Sequence, residues 1–149
     1  MTHNDELDAL AATPVVLGGL LDSARSSQPA GDEGWMTNEI VAHLKDCEEY
    51  FLQRCLKMLQ EEEPFLAAFD QEELARERDY RSTDALVELR AFAEQRRRLL
   101  DLLAPLDDAA WLRPGHHEVQ GRITIESQIR HVISHDLVHL RQTVESLSH

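Results

Sequence analysis

Aromatic residues make up only 5% of this 149-residue chain. Its core must therefore be aliphatic, which suits packed helices rich in Leu, Ala, Ile and Val. Cysteine is scarcer still. The two cysteines, Cys47 and Cys55, fall in one predicted helix, eight positions and about 12 Å of helix rise apart. A disulfide spans at most about 7 Å between Cα atoms, so a disulfide scaffold is excluded and a reducing compartment is expected. No apolar run approaches the length of a membrane span. The opening residues, MTHNDELDAL, lack the basic and apolar regions of a secretory signal, and the cytoplasm is the expected location by default. Positive charge is also in short supply. Fifteen Lys and Arg face 28 Asp and Glu, for a net charge of -13. A surface this acidic repels phosphate backbones and anionic membranes, so neither nucleic acid nor membrane is expected as a partner.

What is present is a chain with 42% apolar and 29% charged residues, the composition of a folded protein. Its length fits a single domain over 1–149. Four helical segments are predicted, with no convincing strand. The first spans roughly Glu6 to Ser26, with Leu7, Leu10, Val15, Val16, Leu17, Leu20 and Leu21 on a broad apolar face. Pro14 predicts a break or kink, with Thr13 as a new N-cap. The Gly/Pro/Ser-containing stretch from Ser26 to Gly34 reads as a loop. The second segment is Thr37 to Gln60, where Ile40, Leu44, Cys47, Phe51, Cys55 and Met58 recur at helical spacing. A less regular connection, Phe65 to Arg81, carries a short helix near Gln71 to Arg76. The third segment is Ser82 to Leu103, capped by Ser82 or Thr83, with Leu86, Leu89, Phe92, Ala93, Leu99 and Leu100 facing inward. Its run Arg96-Arg97-Arg98 reads as a solvated face. One helical turn is expected over Asp107 to Trp111, then a loop holding His116 and His117 as solvated residues. The fourth segment, Thr124 to Leu147, is capped by Thr124. Four helices of this length make a bundle.

Eight histidines are present, and their placement carries more than their number. His131, His135 and His139 follow an i, i+4, i+8 pattern. Each step turns the helix by about 40° and climbs about 6 Å, so all three share one face. Imidazoles at i and i+4 can converge on one ion, but the outer pair, about 12 Å apart, cannot easily share it. Spacing alone leaves His135 with His139, or His131 with His135, as the pair. A catalytic divalent ion needs a third protein ligand, and His43, on the flank of the apolar face of the second segment, is the candidate.

Two stretches resemble the DinB/YfiT superfamily of metal-dependent helical bundles, over about Leu10 to Gln142. The first, WMTNEIVAHLKDCEE from Trp35 to Glu49, is similar to W-S-x-x-E-I-x-x-H-L-x-D-x-E. Trp35, Glu39, Ile40, His43, Leu44, Asp46 and Glu48 match, and Met36 replaces the usual small hydroxyl residue. The second, HVISHDLVHLRQ from His131 to Gln142, is similar to H-I-x-x-H-D-x-x-H-x-x-Q, with His131, His135, Asp136, His139 and Gln142 matching. The resemblance implies an all-α antiparallel four-helix bundle with a long crossover, often a homodimer. It implies one metal site formed by His43, His135 and His139, and either a hydrolase or a thiol transferase of bacillithiol or mycothiol type.

His131 reads as a non-ligand beside the ion, in a proton-transfer or supporting role. Tyr50 and Arg54 lie within about 20° of His43 on the helix and are the other catalytic candidates, weighed against bundle packing for Tyr50 and a surface pair for Arg54. Asp46 and Glu48 read as support for the site or as surface charges. Cys47 reads as a small core thiol. Trp35 and Trp111 wall a pocket or pack in the core or at the rim. A three-histidine site with no fourth protein ligand is open, hence catalytic or substrate-binding. Zinc, nickel and iron all suit it. Such an ion lowers the pKa of bound water or activates a low-molecular-weight thiol. No HExxH-type glutamate is present, since Asp136 points about 100° away from His135, which weakens hydrolysis. The alternative to an enzyme is a non-catalytic module that binds metal or a partner.

Overall fold

The computed structural model describes residues 3–23 and 36–147; the predicted loop from Ser26 to Gly34 and Trp35 lie outside the described residues. Four long helices form the body: α1 (Asn4–Ser23), α2 (Thr37–Gln60), α4 (Ala85–Leu103) and α6 (Ile125–Leu147). Two shorter helices, α3 (Gln71–Arg78) and α5 (Asp108–Trp111), and a 3-10 turn at Tyr80–Ser82 lie in the connections. The second predicted segment matches α2 at both ends.

Helices α1 and α2 each pack against both α4 and α6. Pairs of contacts give the directions. Thr37 meets Ser146 and His43 meets His135, so α2 and α6 are antiparallel. Asn38 bonds the Thr83 carbonyl and Glu48 bonds Arg96, so α2 and α4 run the same way. Two neighbouring parallel helices need a long return, and residues 61–84 supply it. This crossover is pinned to α2 at two points. Asn38 Nδ2 donates to the carbonyls of Tyr80, Arg81 and Thr83. Asp46 accepts from the Tyr80 hydroxyl at 2.9 Å and from Arg78 at 3.2 Å.

Pro14 does not break α1, which runs through it unbroken. The proline lacks the N–H that would bond the Leu10 carbonyl four residues back. Arg96 Nη1 donates to that carbonyl at 2.9 Å instead, so the orphaned acceptor is satisfied from another helix. Thr13 is no cap; its hydroxyl donates to Asp136 at 2.7 Å. Asp84, rather than Ser82 or Thr83, caps α4, accepting from the backbone N–H of Leu86 and Val87. A carboxylate there also suits the positive helix end. Leu86 points outward, 52% exposed. Thr124 does cap α6, accepting from Ser127 N–H at 3.1 Å.

The expectation of no strands is corrected. A small sheet has the order β1 (Phe65–Leu66), β2 (Pro114–His117), β3 (Gly121–Thr124). β1 is parallel to β2, with Phe65 opposite His116, and β2 is antiparallel to β3, with Gly115 opposite Ile123. Gly121 at φ 79° closes the hairpin, a conformation that favours glycine. The strands are too short for a period-two pattern to stand out, and Pro114 and the paired glycines read as loop. The hairpin places His117, 5% exposed, inside and leaves His116 outside.

The apolar core is in two parts. The larger includes Leu10, Cys47, Phe51, Cys55, Leu99, Leu103, Trp111, Ile129 and Val132. The smaller holds Leu17, Ile40, Leu44 and Phe92. Close to where the two parts meet, every long helix carries a buried polar residue: Thr13, Glu48, Arg96 and Asp136. Arg96 is 1% exposed, so the expected solvated face applies only to Arg97 and Arg98. The guanidinium uses all five N–H groups. It binds Glu48 through Nε and Nη2, Asp136 at 2.7 and 2.9 Å, and the Leu10 carbonyl. One side chain thus ties all four helices together at one level. Asp46 and Glu48, read from sequence as support for the site or surface charges, are both buried in these ties.

Candidate metal centre

The polar level that joins the helices also fixes the spacing of α2 and α6, and on that seam three imidazoles meet. His43 comes from α2, fully buried; His135 and His139 come from successive turns of α6, half-buried. Each offers a ring nitrogen, and the three nitrogens lie within 4.8 Å of one another. His43 Nε2 is 3.2 Å from His135 Nε2. The ring centroids of His43 and His139, and of His135 and His139, are 4.5 Å apart. His131 stands one turn away, its ring 6.4 Å from that of His135, and is outside the cluster.

The donor set fits a divalent ion. Two nitrogens each about 2.0–2.1 Å from one tetrahedral ion would be about 3.3 Å apart, close to the 3.2 Å found between His43 and His135. His135 Nδ1 is buried with no hydrogen-bond partner. Gln142 Oε1 lies 2.8 Å from His139 Nδ1. An amide oxygen only accepts, so the proton sits on Nδ1 and the Nε2 lone pair is free to face the cluster. Gln142 was legible in the second motif, but its role needed the distance.

Burial keeps the imidazoles neutral, the form that binds metal. Burial first, and His139 second, pull the His43 pKa down to about 3. Burial, then His139 and His43, do the same to His135, also to about 3. Burial lowers His139 too, against the opposing bond from Gln142. The consequence for stability has a definite sign. An unfolded histidine takes up its proton near pH 6.5, while these two resist it until about pH 3. The unfolded chain therefore binds more protons between those limits, and stability falls as pH drops through the window. In metal-free protein, the urea midpoint should fall from neutral pH towards pH 4, and fall less in His43→Asn. Equal pH dependence in both proteins would refute this.

The carboxylates next to the cluster in sequence are committed elsewhere. Asp136 is held by Arg96 and Thr13, as its direction on the helix led us to expect. Glu48 is held by Arg96, and Asp46 by Tyr80, Arg78 and Lys45. Cys47 Sγ lies 3.6 Å from both ring nitrogens of His43. Burial raises its pKa, so it stays a thiol.

Arg54 is no surface pair. It is 8% exposed, donates to the Ala67 carbonyl at 3.2 Å and lies over the Phe69 ring. Tyr50 stacks on the same ring at 4.1 Å, with 39% of its surface exposed. Trp111 is core, stacked on His3 at 3.9 Å. Sequence reasoning missed His117. No motif marks it, and only the hairpin brings it inward.

The family model of the DinB superfamily matches residues 8–143. Among solved structures, the chain is similar to YfiT from Bacillus subtilis, described as a probable metal-dependent hydrolase with an unusual four-helix bundle topology. The match has a TM-score of 0.87 and 23% identity, covering 99% of this chain and 88% of that one. At that identity the likeness establishes the four-helix bundle fold. No curated protein matches the chain.

Proposed function

This chain belongs to the DinB superfamily, and from that membership we propose that it is a metal-dependent enzyme acting on a small molecule, with His43, His135 and His139 as the ligands of one divalent ion. The observation that carries the reading is the convergence of three ring nitrogens from two helices within 4.8 Å. Zinc, nickel or iron suits three imidazoles, and any of them would serve as a Lewis acid on a water or a thiol bound at an open position.

The chain's own residues set the rest. Gln142 fixes the tautomer of His139. The Arg96 tie holds α2 and α6 at the spacing the three rings need. His131, on the rim one turn from His135, is placed to hold or move a proton.

Two chemistries compete, and each has support. YfiT's description favours hydrolysis. The commitment of Asp46, Glu48 and Asp136 to buried or partly buried bonds favours thiol transfer, because none of the three is free to act as general base on water. We take transfer of a low-molecular-weight thiol to an electrophile as the better fit, in a chain that works as a homodimer. A non-catalytic metal-binding bundle is the second reading.

The test is turnover of the metal-loaded chain with bacillithiol- or mycothiol-type thiols plus electrophiles, beside a panel of ester and amide substrates. Thiol-dependent turnover that vanishes in His139→Ala is the expected result. Turnover of the second panel alone would assign hydrolysis. Inactivity on both, with metal bound, would favour the non-catalytic module.

A further inference from the structure

We propose that Arg54, His117 and His131 form an oxyanion-binding subsite beside the imidazole cluster, so that the small molecule carries a carboxylate or phosphate group. This deepens the metal-centre reading and rests on it for the claim that the anion belongs to a substrate; binding of the anion itself does not.

The starting point is an unbalanced charge. Buried charges are normally paired, and this chain has 28 carboxylates for 15 basic groups. Several other arginines use them: Arg96 with Glu48 and Asp136, Arg78 with Asp46, Arg97 with Glu94, Arg130 with Glu126. Arg54 is 92% buried, from 8% exposure, yet among the described residues it pairs with no carboxylate. Its single hydrogen bond, to the Ala67 carbonyl, and the Phe69 ring beneath it leave most of its N–H groups unused. None of those nitrogens is sealed from solvent. The stem is fixed, and the unused donors keep some contact with solvent.

Two imidazoles join it. His117 Nδ1 accepts from the backbone N–H of both Val119 and Gln120 at 3.1 Å. Its proton must therefore sit on Nε2, which makes that atom a donor. His131 lies on the rim, 6.0 Å by ring centroid from Phe51. His117 lies opposite Leu66, next to the Ala67 whose carbonyl Arg54 bonds, and His131 packs against Phe51, one turn before Arg54 on α2. The backbone and ring contacts thus gather the three groups in one region, and the Arg54 charge acts on both rings. Two turns before Arg54 on α2 stands Cys47, whose sulfur lies 3.6 Å from the His43 ring nitrogens. Side chains on a helix lean toward its N-terminus, which carries the Arg54 head back toward the His43 end of α2. The one carboxylate acting on His117 is Glu118, and its Oε2 accepts from Ala68 N–H. A guanidinium edge offers two parallel N–H groups, the geometry that carboxylate and phosphate oxygens take, and His117 Nε2–H adds a third donor.

The experiment titrates metal-loaded protein with inorganic phosphate and, in a second arm, with succinate, read by calorimetry and by imidazole proton resonances. At least one anion should bind and should move the His117 and His131 resonances, while His116, exposed on the same strand, stays. R54Q should weaken that binding about tenfold or more, the scale of a lost charged hydrogen bond, and R54K by less. Tighter phosphate binding assigns a phosphate group, tighter succinate binding a carboxylate. The proposal is overturned if neither anion binds, if R54Q binds as wild type does, or if His116 moves as much as His117. Should R54Q fail to fold by circular dichroism, the wild-type resonances and R54K decide. His135→Ala separates the two readings. Arg54-dependent anion binding that persists after metal is lost upholds the subsite, and metal retained in that variant refutes the ligand assignment alone.

Discussion

Replacing His43, His135 or His139 by alanine should take the metal content from about one ion per chain to near none, the largest effect expected of any single substitution here. A site with three protein ligands has no spare. Removing one leaves two imidazoles and solvent, and two nitrogens do not hold a divalent ion against buffer and chelator. His131→Ala is the internal control. It lies on the same helix face and at the same i+4 spacing, but its ring stands outside the cluster, so its loss should leave occupancy nearly intact. Elemental analysis of the four variants, purified side by side with one metal supplied in excess, decides the matter. Supplying the metal is necessary because affinity order among first-row ions otherwise lets availability choose the occupant. Full occupancy in His43→Ala would refute the assignment, since His43 is the sole contribution of α2.

Arg96→Met should cost about 3–5 kcal/mol, the range for breaking a buried ion pair from one side. That is a large part of the roughly 5–15 kcal/mol that holds a domain together. The loss has three sources. Glu48 and Asp136, each nearly sealed from solvent, would be left as buried carboxylates without a cation. The Leu10 carbonyl, already deprived of its helical partner by Pro14, would lose its donor. Four helices would lose the one side chain that touches them all. Urea unfolding at neutral pH measures it. A loss below about 1 kcal/mol would mean the two carboxylates find other partners or protonate at little cost. Replacing Glu48 and Asp136 by leucine along with Arg96→Met should recover much of the stability, because a buried ionic cluster and a packed apolar one are often nearly equal in free energy.

Much of the bundle was legible. The 3.6-residue period fixed α2 to its ends, and caps such as Thr124 use local chemistry that leaves its mark in neighbouring residues. That His43 joins a histidine pair about 90 positions away was legible from the residues, but which pair was legible only through resemblance. The i, i+4, i+8 spacing by itself left two choices for the pair on α6, and the distances separate them: His135 and His139 converge with His43, and His131 does not. Arg97 and Arg98 behave as a charge run should. Arg96, their neighbour, does not, because the phase of α4 turns it inward to carboxylates on α2 and α6.

By itself, then, the amino-acid order determined which segments are helical, that the interior is aliphatic, and which histidines share a face, since each of these depends on neighbours within a turn or two. Tertiary structure alone decided that α1 survives its proline, that Arg54 and Arg96 are buried, and that a loop rich in glycine and proline becomes strands carrying His117 inward. The reason is physical. A helix carries its period in adjacent residues, whereas a buried charge or an orphaned carbonyl is tolerated only when a partner arrives from a distant part of the chain, and that arrival is set by packing.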